Sequence, residues 1–178
     1  QYDDGTPKLR SIIEAALMDM IEDGSAQDAV IAQSESQRRA MWERREAYAE
    51  ITLGIPGSID TDIAVPLNDV ATFLKNVSAR VKEVDPNGEE LYISHLGDGN
   101  LHYTFYPTDT SGILKEPITE AIEDVVLALN GSFSAEHGIG LSKKSSMARR
   151  KDPIALEMMS AIKTAFDPKN LMNPGKVY

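Results

Sequence analysis

All three histidines of this 178-residue chain fall in two short, glycine-flanked stretches. His95 and His102 bracket the run Ser94-His95-Leu96-Gly97-Asp98-Gly99-Asn100-Leu101-His102, and His137 lies in Ser134-Ala135-Glu136-His137-Gly138-Ile139-Gly140. Asp98-Gly99 is a strong signal for a two-residue hairpin, because a type I′ turn needs positive φ at both central positions. Centring the turn on that pair sets Gly97 opposite Asn100, Leu96 opposite Leu101 and His95 opposite His102. Opposed side chains on an antiparallel pair share a face, with Cβ atoms roughly 4.5–5.5 Å apart. Two imidazoles then converge on one ion, and Glu136 completes a His2Glu set with a coordination position open, the geometry of a catalytic metal. The same spacing also suits a plainer role, a histidine pair that stabilises the hairpin. Leu91, Ile93, Thr104 and Tyr106 on the same face favour the metal pair, while Asp98 and Asn100 read as turn residues rather than ligands.

Glu136 and His137 are adjacent, so an extended segment points them to opposite sides. With Glu136 on the ion, His137 belongs beside the substrate, where an imidazole with an ordinary pKa of ~6.5 is a natural proton acceptor. A polar loop between glycines is the competing reading. Arg44 and Arg45 lie on a long helix whose polar stripe is Arg39, Glu43, Glu46 and Glu50. Both arginines fall instead in the arc of Met41, Trp42, Tyr48 and Ile51. An arginine off the solvent face calls for an anion, and a carboxylate suits its fork. Snorkelling is the better reading for Arg44 and an equal one for Arg45. Arg149-Arg150-Lys151 reads as a solvated turn, and the Val125-Val126 and Met158-Met159 stripes as core.

The elements that must position these groups alternate along one domain, residues 1–178, of ordinary size. A first helix starts with Thr6 as cap and Pro7 in its first turn and carries Leu9, Ile12, Ile13, Ala16, Leu17, Met20 and Ile21 until Gly24. A short strand follows over Asp28–Gln33, then the long helix from Ser34 to about Leu53. Ile59–Val65 reads as a strand, and Leu67, Val70, Leu74, Val77 and Val81 mark a helix. The hairpin of Leu91–His95 and Leu101–Tyr106 leads to a Pro117-initiated helix. A last helix opens at Asp152-Pro153. One secure hairpin among alternating helices favours an α+β fold, a mostly antiparallel sheet with helices on one face, over a doubly wound parallel sheet. No glycine-rich phosphate cradle follows a strand, so the chain is not expected to bind a nucleotide cofactor by itself.

Composition narrows the function classes. A net charge of −10 disfavours nucleic acid and anionic membrane surfaces. No apolar run approaches the ~18–20 residues of a membrane span, and the start resembles neither a signal nor a transit peptide, so a cytoplasmic location is expected. The absence of an initiator methionine suggests an excised piece. With no cysteine, any metal must be held by imidazole and carboxylate.

The hairpin His95-Leu-Gly-Asp-Gly-Asn-Leu-His102, the segment Ser134-Ala-Glu-His-Gly138 and the tail Asp167-Pro-Lys-Asn-Leu-Met-Asn-Pro-Gly-Lys176 together resemble the C-terminal domain of FAD-linked oxidases. This is the vanillyl-alcohol-oxidase-like superfamily, in the branch with D-lactate dehydrogenase, the glycolate oxidase flavin subunit and D-2-hydroxyglutarate dehydrogenase. Trp42-Glu-Arg-Arg45-Glu46 and Thr61-Asp62-Ile-Ala-Val-Pro66 are similar to family segments more loosely. The resemblance implies a ferredoxin-like substrate domain. It implies His95, His102 and Glu136 as ligands of a divalent metal, zinc first, with manganese or iron as alternatives. It implies His137 as the base, Arg45 as the clamp on the substrate carboxylate, and Asn173 in a strand near the flavin. FAD itself would sit mainly in an N-terminal domain that nothing in this chain resembles.

By that resemblance the chain is the substrate and metal half of an FAD-dependent D-2-hydroxy acid dehydrogenase, and inactive in isolation. Its partners would be the small hydroxy acid, the FAD domain of the same polypeptide and an unidentified electron acceptor, with a homodimer left open. Ser94 stands where the family usually has glycine. Asp60 stands where dehydrogenases of 2-hydroxyglutarate tend to carry lysine, which favours a monocarboxylate such as D-lactate or glycolate. Two other readings compete: a stand-alone His2Glu zinc hydrolase, and a metal-stabilised binding or dimerisation module without catalysis.

Overall fold

A computed structural model describes residues 7–53 and 55–178. They divide between Ala47 and Tyr48 into two compact units, and the long helix α2 runs through the division. The first unit contains α1, Pro7–Glu22, and the start of α2, Glu35–Leu53. As the sequence predicts, α1 is closed by Gly24, which takes φ +78°. The expected cap Thr6 lies outside the described residues. Asp28–Gln33 is not a strand. The N–H of Gln33 is taken by the Gln37 side chain at 2.6 Å, while Ser34 Oγ accepts the Gln37 N–H at 3.2 Å. The end of the segment therefore serves the start of α2 rather than a sheet.

The second unit holds β1 (Ile59–Ala64), a 3-10 turn at Leu67–Asp69, α3 (Val70–Val84), β2 (Glu89–His95), β3 (Asn100–Tyr106), α4 (Lys115–Ala128), α5 (Lys144–Arg150) and α6 (Pro153–Phe166). The strands form an antiparallel sheet in the order β1-β3-β2. Ser132 adds a bridge to Ala64 on the outer side of β1. The fold is thus α+β, and its β-α-β-β-α order with a returning edge segment fits the ferredoxin-like expectation.

Alternation along the strands decides which face is which. Ile59, Ile63, Leu101, Tyr103 and Phe105 point to one side and are buried there with Phe73, Val77 and Val81 of α3 and Ile118, Ile122 and Val126 of α4. At roughly 1.5–3 kcal/mol for each fully buried large apolar side chain, this layer holds the unit together. Asp60, Asp62, His102, Thr104 and His95 occupy the alternate positions, on the sheet face away from that core.

Three other expectations change. α4 begins at Lys115, two residues before Pro117. α6 is capped as predicted, with Asp152 accepting the Ala155 N–H at 3.0 Å, yet its apolar stripe is not core: Ile154, Met158, Ile162 and Phe166 are all exposed, and Met159 is half-buried. Finally, Arg149 and Arg150 are not a solvated turn. They end α5 and pair with Glu123, which is 3% exposed, with Arg150 Nε at 2.9 Å and Arg149 Nη2 at 3.3 Å. Arg150 also reaches Asp124 at 2.7 Å, and Arg149 pairs with Glu116. A carboxylate on the buried stripe of α4 needs such partners, which a reading of the basic run alone does not reveal.

Candidate metal and active site

The hairpin that carries two of the histidines is shifted by two residues from the sequence expectation. His95 pairs with Asn100 and Ile93 with His102, so Leu96–Gly99 is a four-residue loop. Of the central pair only Gly99 takes a positive φ, +78°, so the type I′ turn does not form. The Asp98 carboxylate instead accepts the Asn100 N–H at 3.1 Å, and the Gly99 carbonyl accepts the Val65 N–H at 3.1 Å, extending the β1–β3 ladder. A Cβ on Gly99 would lie 2.1 Å from the Val65 carbonyl oxygen, which fixes glycine there. A slip of two residues keeps every side chain on its own face. His95 and His102 are therefore diagonal neighbours, with ring centroids 5.2 Å apart.

Glu136 and His137 reach the same place from the other end of the domain. Glu136 Oε1 is 3.1 Å from His102 Nε2, 3.7 Å from His95 Nε2 and 3.8 Å from His137 Nε2. The His137 ring stacks on His102 at 5.3 Å between centroids. Consecutive side chains converge because the backbone here is not extended. The N–H groups of Glu136 and His137 both turn inward onto Asp62 Oδ2, at 3.0 and 2.8 Å. Asp62 is 2% exposed, and Lys143 Nζ lies 3.4 Å from the same oxygen.

The set of donors fits a divalent cation. One ligand atom each from Asp62, His102, Glu136 and His137 lie within 4.8 Å of one another, and His95 adjoins the group through Glu136. Two buried acceptors, Asp62 Oδ1 and Asn100 Oδ1, find no hydrogen-bond donor among the described residues. They belong to the direct cross-strand partners of His102 and His95 respectively. Burial pushes the His102 imidazole below its ordinary value; Asp62 and Glu136 oppose this, and His137 and His95 add to it. His102 is thus neutral at pH 7, the form in which imidazole binds a metal. Burial alone would raise the Asp62 carboxyl, but the backbone N–H groups of His137 and Glu136 and the Lys143 cation outweigh it, and the group stays ionised.

Of the residues predicted from sequence, His95, His102, Glu136 and His137 come together. Arg45 is half-buried on α2, in the first unit, and Arg44 is exposed. Asn173 is exposed at φ +48° in a run of turns, so the tail is not a strand. It is organised by Asp167, which accepts the N–H groups of Leu171 and Met172 at 2.8 Å each. The tail ends beside the site segment, with the Val177 N–H on the Gly140 carbonyl at 2.8 Å. Sequence reading assigned no role to Asp62 or Lys143. The signal for Asp62 was its place on β1: alternation sets Asp60 and Asp62 on the polar face, opposite Ile59 and Ile63. For Lys143 no local pattern separates it from the basic run that follows.

Comparison with known proteins gives a consistent picture. Residues 4–177 match the family described as FAD linked oxidases, C-terminal domain. A D-2-hydroxyglutarate dehydrogenase from Stutzerimonas stutzeri (strain A1501) is 35% identical over 163 residues, 89% of this chain and 35% of that protein. A probable mitochondrial D-lactate dehydrogenase from Danio rerio is 32% identical over 166 residues, 89% of this chain and 33% of that protein. A D-lactate dehydrogenase from Anaerostipes hadrus is 31% identical over 175 residues, 96% of this chain and 36% of that protein. The chain spans about a third of the length of these relatives.

Proposed function

This chain belongs to the family of FAD linked oxidases, C-terminal domain, and from that premise we propose that it is the substrate- and metal-binding part of an FAD-dependent dehydrogenase of small 2-hydroxy acids. The observation that carries the reading is the meeting of His95, His102 and His137 around the single carboxylate of Glu136. FAD is proposed to be held mainly by a further part of a longer polypeptide, since the matched family is the C-terminal domain of FAD linked oxidases and the relatives are about three times as long as the matched stretch; bound there, it would supply the hydride acceptor.

His95, His102 and Glu136 would hold the metal, with zinc the best match to two imidazoles and one carboxylate. When bound, such an ion polarises the substrate hydroxyl and lowers its pKa. His137 takes the hydroxyl proton at Nε2, the nitrogen that faces Glu136. Its Nδ1 lies 3.8 Å from the buried Asp62 carboxylate. Arg45 is the proposed clamp on the substrate carboxylate.

The substrate is proposed to be a monocarboxylate such as D-lactate or glycolate. Asp60 is exposed two residues from Asp62, on the same sheet face, with its oxygens held by Thr104 Oγ1 at 2.7 Å and Ser58 Oγ at 2.9 Å. That fixed anion repels a second substrate carboxylate. The test is turnover of the full-length flavoprotein on D-lactate, glycolate and D-2-hydroxyglutarate, before and after chelation and zinc return. Chelation abolishes turnover and zinc restores it, and Asp60→Lys raises kcat/KM for the dicarboxylate relative to the monocarboxylate by roughly tenfold, the scale of ~1.4 kcal/mol. Turnover indifferent to chelation removes the metal from the reading, and a clear preference of the unmodified enzyme for D-2-hydroxyglutarate removes the monocarboxylate.

A further inference from the structure

We propose that Asp62 is a positioning residue for the metal site, setting the placement of Glu136 and His137 through their backbone without itself coordinating the ion. This rests on the metal reading above and adds a residue to it.

Three consecutive N–H groups end on this one residue. Ala135 donates to the Asp62 backbone carbonyl at 3.0 Å, and Glu136 and His137 donate to its carboxylate oxygen Oδ2 at 3.0 and 2.8 Å. The chain is thereby bent around the carboxylate, and two side chains that an extended backbone would splay apart are delivered to one point. The bend is stitched from behind as well. Lys143 Nζ donates to Ser134 Oγ at 2.8 Å, and Ser134 Oγ donates to the Gly138 carbonyl at 2.9 Å, so both ends of the 134–138 segment are tied to the cation that lies 3.4 Å from Asp62 Oδ2.

Oδ2 already faces two N–H donors and an ammonium, so that oxygen is committed to the backbone of the 136–137 segment. A ligand role would fall to Oδ1, the oxygen without a donor among the described residues, and the asparagine variant below tells the two roles apart. A neutral acceptor would hold the same two N–H groups, and burying a carboxylate is costly unless its charge is compensated. The charge has a further effect, because it stands as the cross-strand partner of His102 and within 3.8 Å of His137. There it adds negative potential at a point where three imidazoles converge, which favours a dication.

The experiment uses the full-length flavoprotein with Asp62→Asn and Asp62→Ala. It reads the zinc dissociation constant against a competing chelator, the visible spectrum of the cobalt-loaded protein, and Tm. Asp62→Asn keeps an acceptor for the backbone and loses the charge. It is expected to weaken zinc binding by about 10–100-fold, the range for groups behind the ligands, and to shift the cobalt bands with Tm nearly unchanged. Asp62→Ala goes further in the same direction; where it fails to fold, the asparagine variant decides. Zinc affinity within twofold of the unmodified protein with the same cobalt spectrum overturns the proposal, whether or not Tm falls. Complete loss of metal from a folded Asp62→Asn also overturns it, by making Asp62 a ligand. Failure of the unmodified protein to take up any divalent ion overturns the metal reading with it, and so is told apart from failure of the Asp62 role alone.

Discussion

His95 and His102 meet edge to face, with ring centroids 5.2 Å apart, although neither is the other's cross-strand partner. Diagonal neighbours on an antiparallel pair are within reach of long and aromatic side chains. The two rings therefore converge through the pleat of the sheet and not through the tip of the hairpin. The loop is free to seat Gly99 against Val65 without disturbing them.

If that convergence exists to bind an ion, His102→Ala lowers zinc affinity by more than about 100-fold, beyond the usual cost of losing a group behind the ligands. Competition with a chelator in the full-length flavoprotein measures it. Should the variant keep its zinc and turnover and merely melt at a lower temperature, the pair serves the hairpin, as the plainer reading holds.

His137 has a different expected signature. Its side chain is the most exposed of the three imidazoles, and its Nδ1 faces Asp62. His137→Asn is expected to retain metal and lower kcat by about 10²–10⁴-fold, the range for loss of a general base. Metal content and steady-state turnover on the same preparation separate the two effects. Undiminished kcat takes the proton-accepting role away from His137, and loss of zinc would class it with the ligands.

How much of this was legible beforehand follows from which forces are local. The α+β class, β1, the hairpin strands and the core stripes of α3 and α4 are written in periodicity, because burial on one face imposes it. The convergence of the histidines survived an error in the turn, since a two-residue slip preserves the face of His95 and His102. What failed depended on distant partners. Asp28–Gln33 carries a short apolar run bounded by polar residues, but among the described residues it pairs with no strand. Arg149 and Arg150 look solvated until the buried Glu123 of α4 is placed beside them. Asp62 was placed on the correct face by alternation, but its role depends on residues 74 and 75 positions later. The α6 stripe shows the converse: helical spacing records apolarity, and nothing in it says whether Ile154, Met158, Ile162 and Phe166 are covered within this unit.

The Glu123 cluster gives a stability prediction. Removing the carboxylate leaves Arg149 and Arg150 with the more exposed carboxylates of Glu116, Glu120 and Asp124 and with the Glu120 backbone carbonyl, which accepts from Arg150 Nη2 at 3.2 Å. Breaking charge-assisted hydrogen bonds at a buried acceptor costs about 2–3 kcal/mol, so Glu123→Ala unfolds at markedly lower urea concentration. Glu123→Leu fills the site but also strands the arginines, and is expected to recover part of the loss only when Arg150→Met is added. A double-mutant cycle by urea denaturation checks this; additive losses would show that the pairs contribute nothing to folding.

Asp167 ties the tail to α6, and its protonation sets how the unit responds to acid. The Lys163 ammonium holds its carboxyl below the usual carboxylate range; burial opposes this, and the N–H groups of Leu171 and Met172 reinforce the lowering. In the unfolded chain the group returns to its ordinary pKa of about 3.9. Between the folded and unfolded values the unfolded state binds more protons, so stability rises with pH there. The contribution is complete above the unfolded value and is lost as pH falls through the folded one. Asp167→Asn removes the charge at every pH, so the variant is less stable than the unmodified protein at pH 7, and the gap narrows steadily below pH 4. Urea midpoints at pH 7, 4 and 3 measure the gap directly. A gap of constant size would mean that Asp167 holds Leu171 and Met172 by shape alone, with no part played by the Lys163 ion pair.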